Sequence, residues 1–214
     1  MTDQERHLVV GISGASGVRY GMRLVERVVA LGWHVHLIVT PSAFRVMQEE
    51  ENITGVGASS PLGQWLRLPE EQLGKQVTLY NIRDIAARPA SGTFRAKAMI
   101  VIPASMKTCA GIAHGYTDDL LTRCADVFIK ERRPLAIVPR ETPLSTIHLQ
   151  NLLTLAQAGA HIVPAMPGFY CEPRTLDDMI DFMVMKVLNL LGIEHDIPMA
   201  WDGPRKQREM GESS

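Results

Sequence analysis

Five short apolar runs, each the length of a strand, alternate along this chain with segments of helical period. The runs are HLVVGI (7–12), HVHLIVT (34–40), AMIVIP (98–103), LAIVP (135–139) and HIVPAMP (161–167). Between them lie VRYGMRLVERVVALG (18–32), SAFRVMQEEE (42–51), TDDLLTRCADVFIK (117–130) and TIHLQNLLTLAQAGA (146–160). A last amphipathic segment, TLDDMIDFMVMKVLNLLG (175–192), opens on Thr175 as N-cap and stops at Gly192. Near-continuous apolar strands separated by helices leave no room for hairpins and require a parallel sheet covered on both faces. The expected fold is therefore a three-layer α/β domain over residues 1–200, with no internal repeat or linker. Residues 52–95 are less regular, with one strand candidate at VTLYNI (77–82) and a small-residue loop, PASGT (89–93). The tail from residue 201 is polar and reads as disordered.

In such sheets ligands bind outside the carboxyl ends of the strands, near the point where strand order reverses. The loops after residues 12, 40, 103, 139 and 163 are thus the ones that matter. The first, GISGASG (11–17), spaces Gly11, Gly14 and Gly17 evenly around Ser13 and Ser16. A glycine turn between strand and helix aims free N–H groups and the positive helix end at an anion, and the two hydroxyls can add donors. The plainer alternative is a tight turn with a serine cap. No G-x-x-x-x-G-K-[ST] is present, which argues against a P-loop. No Asp or Glu occurs from Arg27 to Gln48, where a dinucleotide site would hold its ribose acid. A mononucleotide such as FMN fits better than NAD.

The third loop, PASMKTCAG (103–111), offers Ser105, Lys107 and Thr108 at a strand end. It reads equally as a polar binding loop and as a helix start capped by Ser105. Arg140 and Glu141 leave the fourth apolar run together, either as an ion pair at a helix start or as groups reaching the ligand crevice.

The totals exclude several functions. A net charge of −1 gives no electrostatic reason for nucleic acid or an anionic membrane. No apolar run approaches the ~20 residues that span a bilayer, and the polar start MTDQER resembles no leader peptide. Cys109, Cys124 and Cys171 are odd in number and widely spaced, so neither a disulfide framework nor a zinc motif follows. His34 and His36 share one strand face, which reads as packing more readily than as a metal site. A reduced, cytoplasmic protein without a structural metal is expected.

GISGASG, PASGT, IPASMKT, RCADVFIKERRPLAIVPRETPLSTIHLQNL and PAMPGFY together closely resemble the UbiX/Pad1 flavin prenyltransferases. The resemblance runs from residue 7 to about residue 201, and its long central motif is highly specific. It implies a flavodoxin-like or Rossmann-like homo-oligomer, a dodecamer in this family. The implied reaction joins a dimethylallyl group from dimethylallyl monophosphate to N5 and C6 of reduced FMN, without a metal. The prenylated FMN then serves a UbiD-type decarboxylase.

Position by position, the resemblance sets FMN against Gly14, Ala15, Ser16, Thr40, Ser105, Met106, Lys107, Thr108 and Arg140. It sets the dimethylallyl phosphate against Tyr170 and Lys186, with Ser91, Gly92, Arg123, Lys130 and Glu141 completing the pocket. Glu50, Glu141 and Ser16 become the catalytic candidates, since the reaction needs an acid near phosphate and a base near flavin C6. Two departures stand out: Ala104 replaces a common cysteine, and Lys186 replaces an arginine and loses its bidentate fork. Two other classes share these features in part. A cysteine-type FMN decarboxylase would carry P-A-S-A-N-T and P-x-M-N-x-x-M-W, whereas this chain has PASMKT and lacks the second motif. A non-catalytic FMN carrier would not need Glu141, Tyr170 and Lys186. The extended RPASGTF loop and the apolar last helix suggest surfaces that self-association would cover.

Overall fold

The computed structural model describes residues 6–198; residues 1–5 and 199–214, including the expected polar tail, lie outside that range. Six strands form one sheet: β1 (His7–Ile12), β2 (His34–Val39), β3 (Val77–Tyr80), β4 (Ala98–Ala104), β5 (Leu135–Pro139) and β6 (His161–Ile162). Every pairing is parallel, and the order is β3-β2-β1-β4-β5-β6. That is the Rossmann order rather than the flavodoxin order, with its switch point between β1 and β4. Seven helices cross over the faces: α1 (Val18–Ala30), α2 (Pro41–Glu50), α3 (Glu70–Gln76), α4 (Met106–Ala113), α5 (Leu120–Lys130), α6 (Thr146–Gln157) and α7 (Leu176–Leu190).

Two cores result, one on each face. Leu8, Val10 and Ile12 of β1 point into the core shared with α1, α2, α3 and α7. Val9, with Met99 and Val101 of β4, points into the core under α4, α5 and α6. Because both faces are covered, the strands carry apolar residues continuously instead of alternating. Across the first core α1 and α7 are clasped by Asp181, which accepts from Arg23 Nε at 2.7 Å and from Arg27 Nη2 at 2.7 Å. Burial alone would raise the Asp181 carboxyl, but the hydrogen bonds and charges of the two guanidiniums hold it below its usual range.

Several boundaries differ from expectation for local reasons. The fifth apolar run pairs over two residues only: Val163 and Ala165 still donate to the Ile137 and Pro139 carbonyls, but Pro139 of β5 has no N–H to return. The 103–111 stretch turns into α4, a helix too short and too rich in small residues to show a period. Helix α5 starts at Leu120 rather than residue 117, where Asp119 accepts the Thr122 N–H at 2.8 Å. Among the described residues no helix is long and apolar enough to cross a membrane.

One glycine fixes how closely α1 lies on the sheet. A Cβ on Gly21 would stand 2.3 Å from the backbone carbonyl oxygen of Ile102, which no rotamer change can relieve. Gly21→Ala is expected to destabilise the chain by on the order of 3 kcal/mol. Urea unfolding should show a lower midpoint at unchanged slope; an unchanged midpoint would mean that α1 shifts freely.

Candidate functional site

The loops at the carboxyl ends of β1, β2, β4 and β5 converge, as the sequence predicts. In the first loop Ser13 is buried and donates to the Pro103 carbonyl at 3.0 Å, while accepting the Ser105 N–H at 2.7 Å. Its hydroxyl is spent across the switch point, which corrects the reading of Ser13 as a ligand donor. Gly14 has no room for a side chain, since a Cβ would lie 2.4 Å from Ser42 Oγ at the start of α2. Ala15 is buried and Ser16 exposed. Gly17, at φ +88°, opens α1 and donates its N–H to Glu50 Oε2 at 2.7 Å.

That contact brings Glu50 and Ser16 together and settles how three consecutive glutamates coexist at the end of α2. Glu49 pairs with Arg45 on the surface, and Glu51 pairs with Arg19 at 3.2 Å. Glu50 lies against the positive end of α1.

Thr40 caps α2 by accepting the Ala43 N–H at 3.2 Å, and its hydroxyl lies 3.0 Å from Ser42 Oγ. Ser105 caps α4 in the same way, accepting from Thr108 N at 3.3 Å with the two hydroxyls 3.0 Å apart. The cap reading of Ser105 therefore holds, yet Thr40, Ser105, Lys107 and Thr108 also line one cleft of about 490 Å³. Met106, between Ser105 and Lys107, is buried. Ser42, Tyr116 and Asp118 line the same cleft. Sequence reasoning passed over all three, because none belongs to a motif and only the fold brings them to the crevice.

Arg140 leaves β5 with its N–H on the Ala104 carbonyl at 3.3 Å. Its Nε is buried without a hydrogen-bond partner among the described residues. Burial raises the Tyr20 phenol, and the neighbouring Arg140 charge opposes that rise. Glu141 is exposed and accepts the Thr142 N–H at 3.1 Å. No ion pair joins Arg140 to Glu141 among the described residues, and Ser145 caps α6 instead. The ion-pair reading thus falls away, while the helix-start reading of the 141–146 stretch holds, since Ser145 is the cap. A buried, orphaned guanidinium N–H and a glycine turn fit a phosphorylated ligand.

The remaining predicted residues lie elsewhere. Lys130 ends α5 near the amino ends of the strands, 2.5 Å from Glu131. A Cβ on Gly92 would stand 3.3 Å from Lys130 Nζ, so Gly92 and its neighbour Ser91 belong to that end. Arg133 holds this loop by donating to the carbonyls of Gly92 and Phe94. Arg123 sits two turns back along α5 on the same face as Lys130. Tyr170 packs edge-on against Phe182 of α7 at 5.6 Å, and Lys186 follows one turn further on. One chain therefore divides the expected pocket into three: the loop cleft, the α5 stripe and the α7 flank.

Cys109 and Cys124 are pushed up to about 12 by burial and are packing groups, not nucleophiles. His36 is pushed down to about 3, first by burial and then by the charges of His34, His7 and Arg88. The register that adds His7 to the His34–His36 pair is invisible until β1 and β2 are known to be neighbours.

A glycine turn over a sheet of Rossmann order, facing a cleft of capped loops, defines a nucleotide-binding α/β protein; the Flavoprotein family model matches residues 1–188. A flavin prenyltransferase UbiX from Halalkalibacterium halodurans is 44% identical over 205 residues, covering 96% of this chain and 98% of its own length. The crystal structure of AnUbiX (PadA1) in complex with FMN and dimethylallyl pyrophosphate superposes with a TM-score of 0.80 at 37% identity. It covers 94% of this chain and 100% of its own. The dodecameric FMN-dependent UbiX-like decarboxylase from Escherichia coli O157:H7 matches with a TM-score of 0.79 at 40% identity, over 92% of this chain and 100% of its own. The chain belongs to the UbiX flavin prenyltransferase family.

Proposed function

We propose that this chain transfers a dimethylallyl group from dimethylallyl monophosphate to N5 and C6 of reduced FMN, supplying prenylated FMN to a UbiD-type decarboxylase. The observation that carries the reading is the buried Arg140 Nε, without a hydrogen-bond partner among the described residues, on a residue whose N–H meets the Ala104 carbonyl just before the cleft residues Ser105, Lys107 and Thr108. These groups and Thr40, with the N–H groups of Gly14 and Ser16 and with Ala15 and Met106 alongside, hold the flavin and its phosphate; the Ala15 N–H itself is held by the Ser13 carbonyl at 2.9 Å. Reduced FMN supplies the nucleophile, so no protein side chain forms a covalent bond to the prenyl group.

The chain's own residues manage charge and protons. Glu50, against the α1 N-terminus beside Ser16, is one of the two carboxylates that carry the reaction's protons. Glu141, at the carboxyl end of β5 and not neutralised by Arg140, takes the proton from the flavin ring. Arg123, Lys130, Tyr170 and Lys186, with Ser91 and Gly92, receive the second phosphate, whose charge grows as the allylic bond breaks. No metal is required where these cations gather.

Because Lys130, with Ser91 and Gly92, lies at the opposite end of the sheet from the loop cleft within one chain, the site is completed between copies, in a homododecamer. Leu176 and Leu190 of α7 and Ser91 and Thr93 of the RPASGTF loop are exposed, as the sequence expectation of self-association requires. Ile147, Leu149 and Leu153 of α6, with Met166 and Phe169, add exposed apolar surface that the sequence reading did not name. Buried free thiols at Cys109 and Cys124 suit the reduced cytoplasm.

Titration of apoprotein with FMN, FAD and NADH is the direct test. FMN should bind most tightly, and Ser16→Asp should abolish its binding by setting a carboxylate against the phosphate; preference for NADH would overturn the reading. Flavin mass and absorbance, followed with dimethylallyl monophosphate and diphosphate in parallel, identify the donor. A cysteine-type decarboxylase or a simple flavin carrier would leave the flavin unaltered in both.

A further inference from the structure

Three imidazoles meet at the amino ends of the central strands, at the opposite edge of the sheet from the flavin loops. The parallel register sets His7 of β1 beside His34 of β2, and His36 follows on the same face of β2. One ring nitrogen from each lies within 4.8 Å of the others, and His7 Nδ1 stands 2.9 Å from His36 Nε2. Strand β3 supplies an outer layer. The Tyr80 hydroxyl lies 2.9 Å from His36 Nδ1, and Thr78 Oγ1 lies 3.0 Å from His34 Nε2. Such partners fix ring orientation and tautomer in metal-ligating histidines. Packing alone would be served better by valine or isoleucine, with no polar rings to desolvate.

We propose that His7, His34 and His36 form a binding site for a divalent transition cation such as Zn²⁺, with a solvent-derived fourth ligand. Nitrogen donors without thiolate or carboxylate favour borderline cations over Mg²⁺ and Ca²⁺. A tetrahedral centre with bonds of ~2.0–2.1 Å requires side-chain shifts of about an ångström from the present geometry. His7 also lines a cleft of about 310 Å³ with Arg88, Thr93 and Arg95, through which water or a small anion can reach the ion. Bound there, the ion fastens β1 to β2 and does not touch the flavin loops.

Cobalt reports the site directly, because tetrahedral Co²⁺ absorbs strongly in the visible range. Untagged full-length protein should take up one Co²⁺ per chain, displaced by Zn²⁺ and not by Mg²⁺, and Zn²⁺ should raise the melting temperature. His7→Gln and His34→Gln should lose both the absorption and the thermal shift while keeping their circular dichroism and FMN binding. His161→Gln should keep everything. Unchanged cobalt spectra in both cluster variants, or no uptake by the parent chain, would overturn the proposal. Should a variant fail to fold, X-ray absorption of the zinc-loaded parent decides, since fewer than three imidazole nitrogens on the metal also refutes it.

Discussion

Glu141→Gln is expected to bind FMN as tightly as the parent chain and to lose ~10²–10⁴-fold of its turnover, the usual cost of removing a positioned acid or base. The side chain is exposed at the carboxyl end of β5 and holds only a local contact to the Thr142 N–H. Glutamine keeps the size of the group and can still accept that hydrogen bond, so folding and flavin binding have no reason to change. Only the capacity to take a proton is removed. Rates of prenylated flavin formation, read by absorbance beside an FMN titration, separate the two effects. Parent-like rates would remove Glu141 from proton transfer and leave Glu50 as the carboxylate to test. Weakened FMN binding with parent-like turnover would assign Glu141 to binding.

Lys130→Ala and Glu141→Gln chains, each nearly inactive alone, are expected to regain about a quarter of parent activity when assembled together in equal amounts. The expectation follows from the separation of the two residues. Lys130 lies at the amino end of the sheet beside Gly92, and Glu141 at the carboxyl end. If each site draws the two groups from different copies, random assembly leaves one site in four with both intact. If both groups served from a single copy, every site would carry one defect and mixing would restore nothing. Co-expression with two separable tags, followed by assay of the doubly purified assembly, gives the answer.

Much of the fold could be read from the sequence because its signals are strong and local. Continuous apolar runs such as AMIVIP and LAIVP have no stable place except a doubly covered parallel sheet, and β4 and β5 form there. Elements that lean on their neighbours escaped notice. Helix α4 has too few turns to display a period, and α3 sits within an irregular stretch. At the site, the glycine turn and the strand-end position of Arg140 were legible, since both follow from backbone topology. Ser13 was misread because its type suggests a donor to a ligand, whereas its burial and its two partners are tertiary facts. The division of the pocket was invisible for a different reason. A sequence orders residues along one chain and carries no sign of which of them the fold will bring to the same end of the sheet.

The Ser13 hydroxyl has a consequence for anyone who would redesign this protein. By bonding the Pro103 carbonyl and the Ser105 N–H at once, it makes the turn after β1 and the turn after β4 one mechanical part. Neither can be lengthened, recoiled or exchanged for a relative's version without disturbing the other. Altered ligand preference must therefore come from paired changes in the two turns, or from the Thr40 and Arg140 sides of the cleft, which Ser13 does not tie.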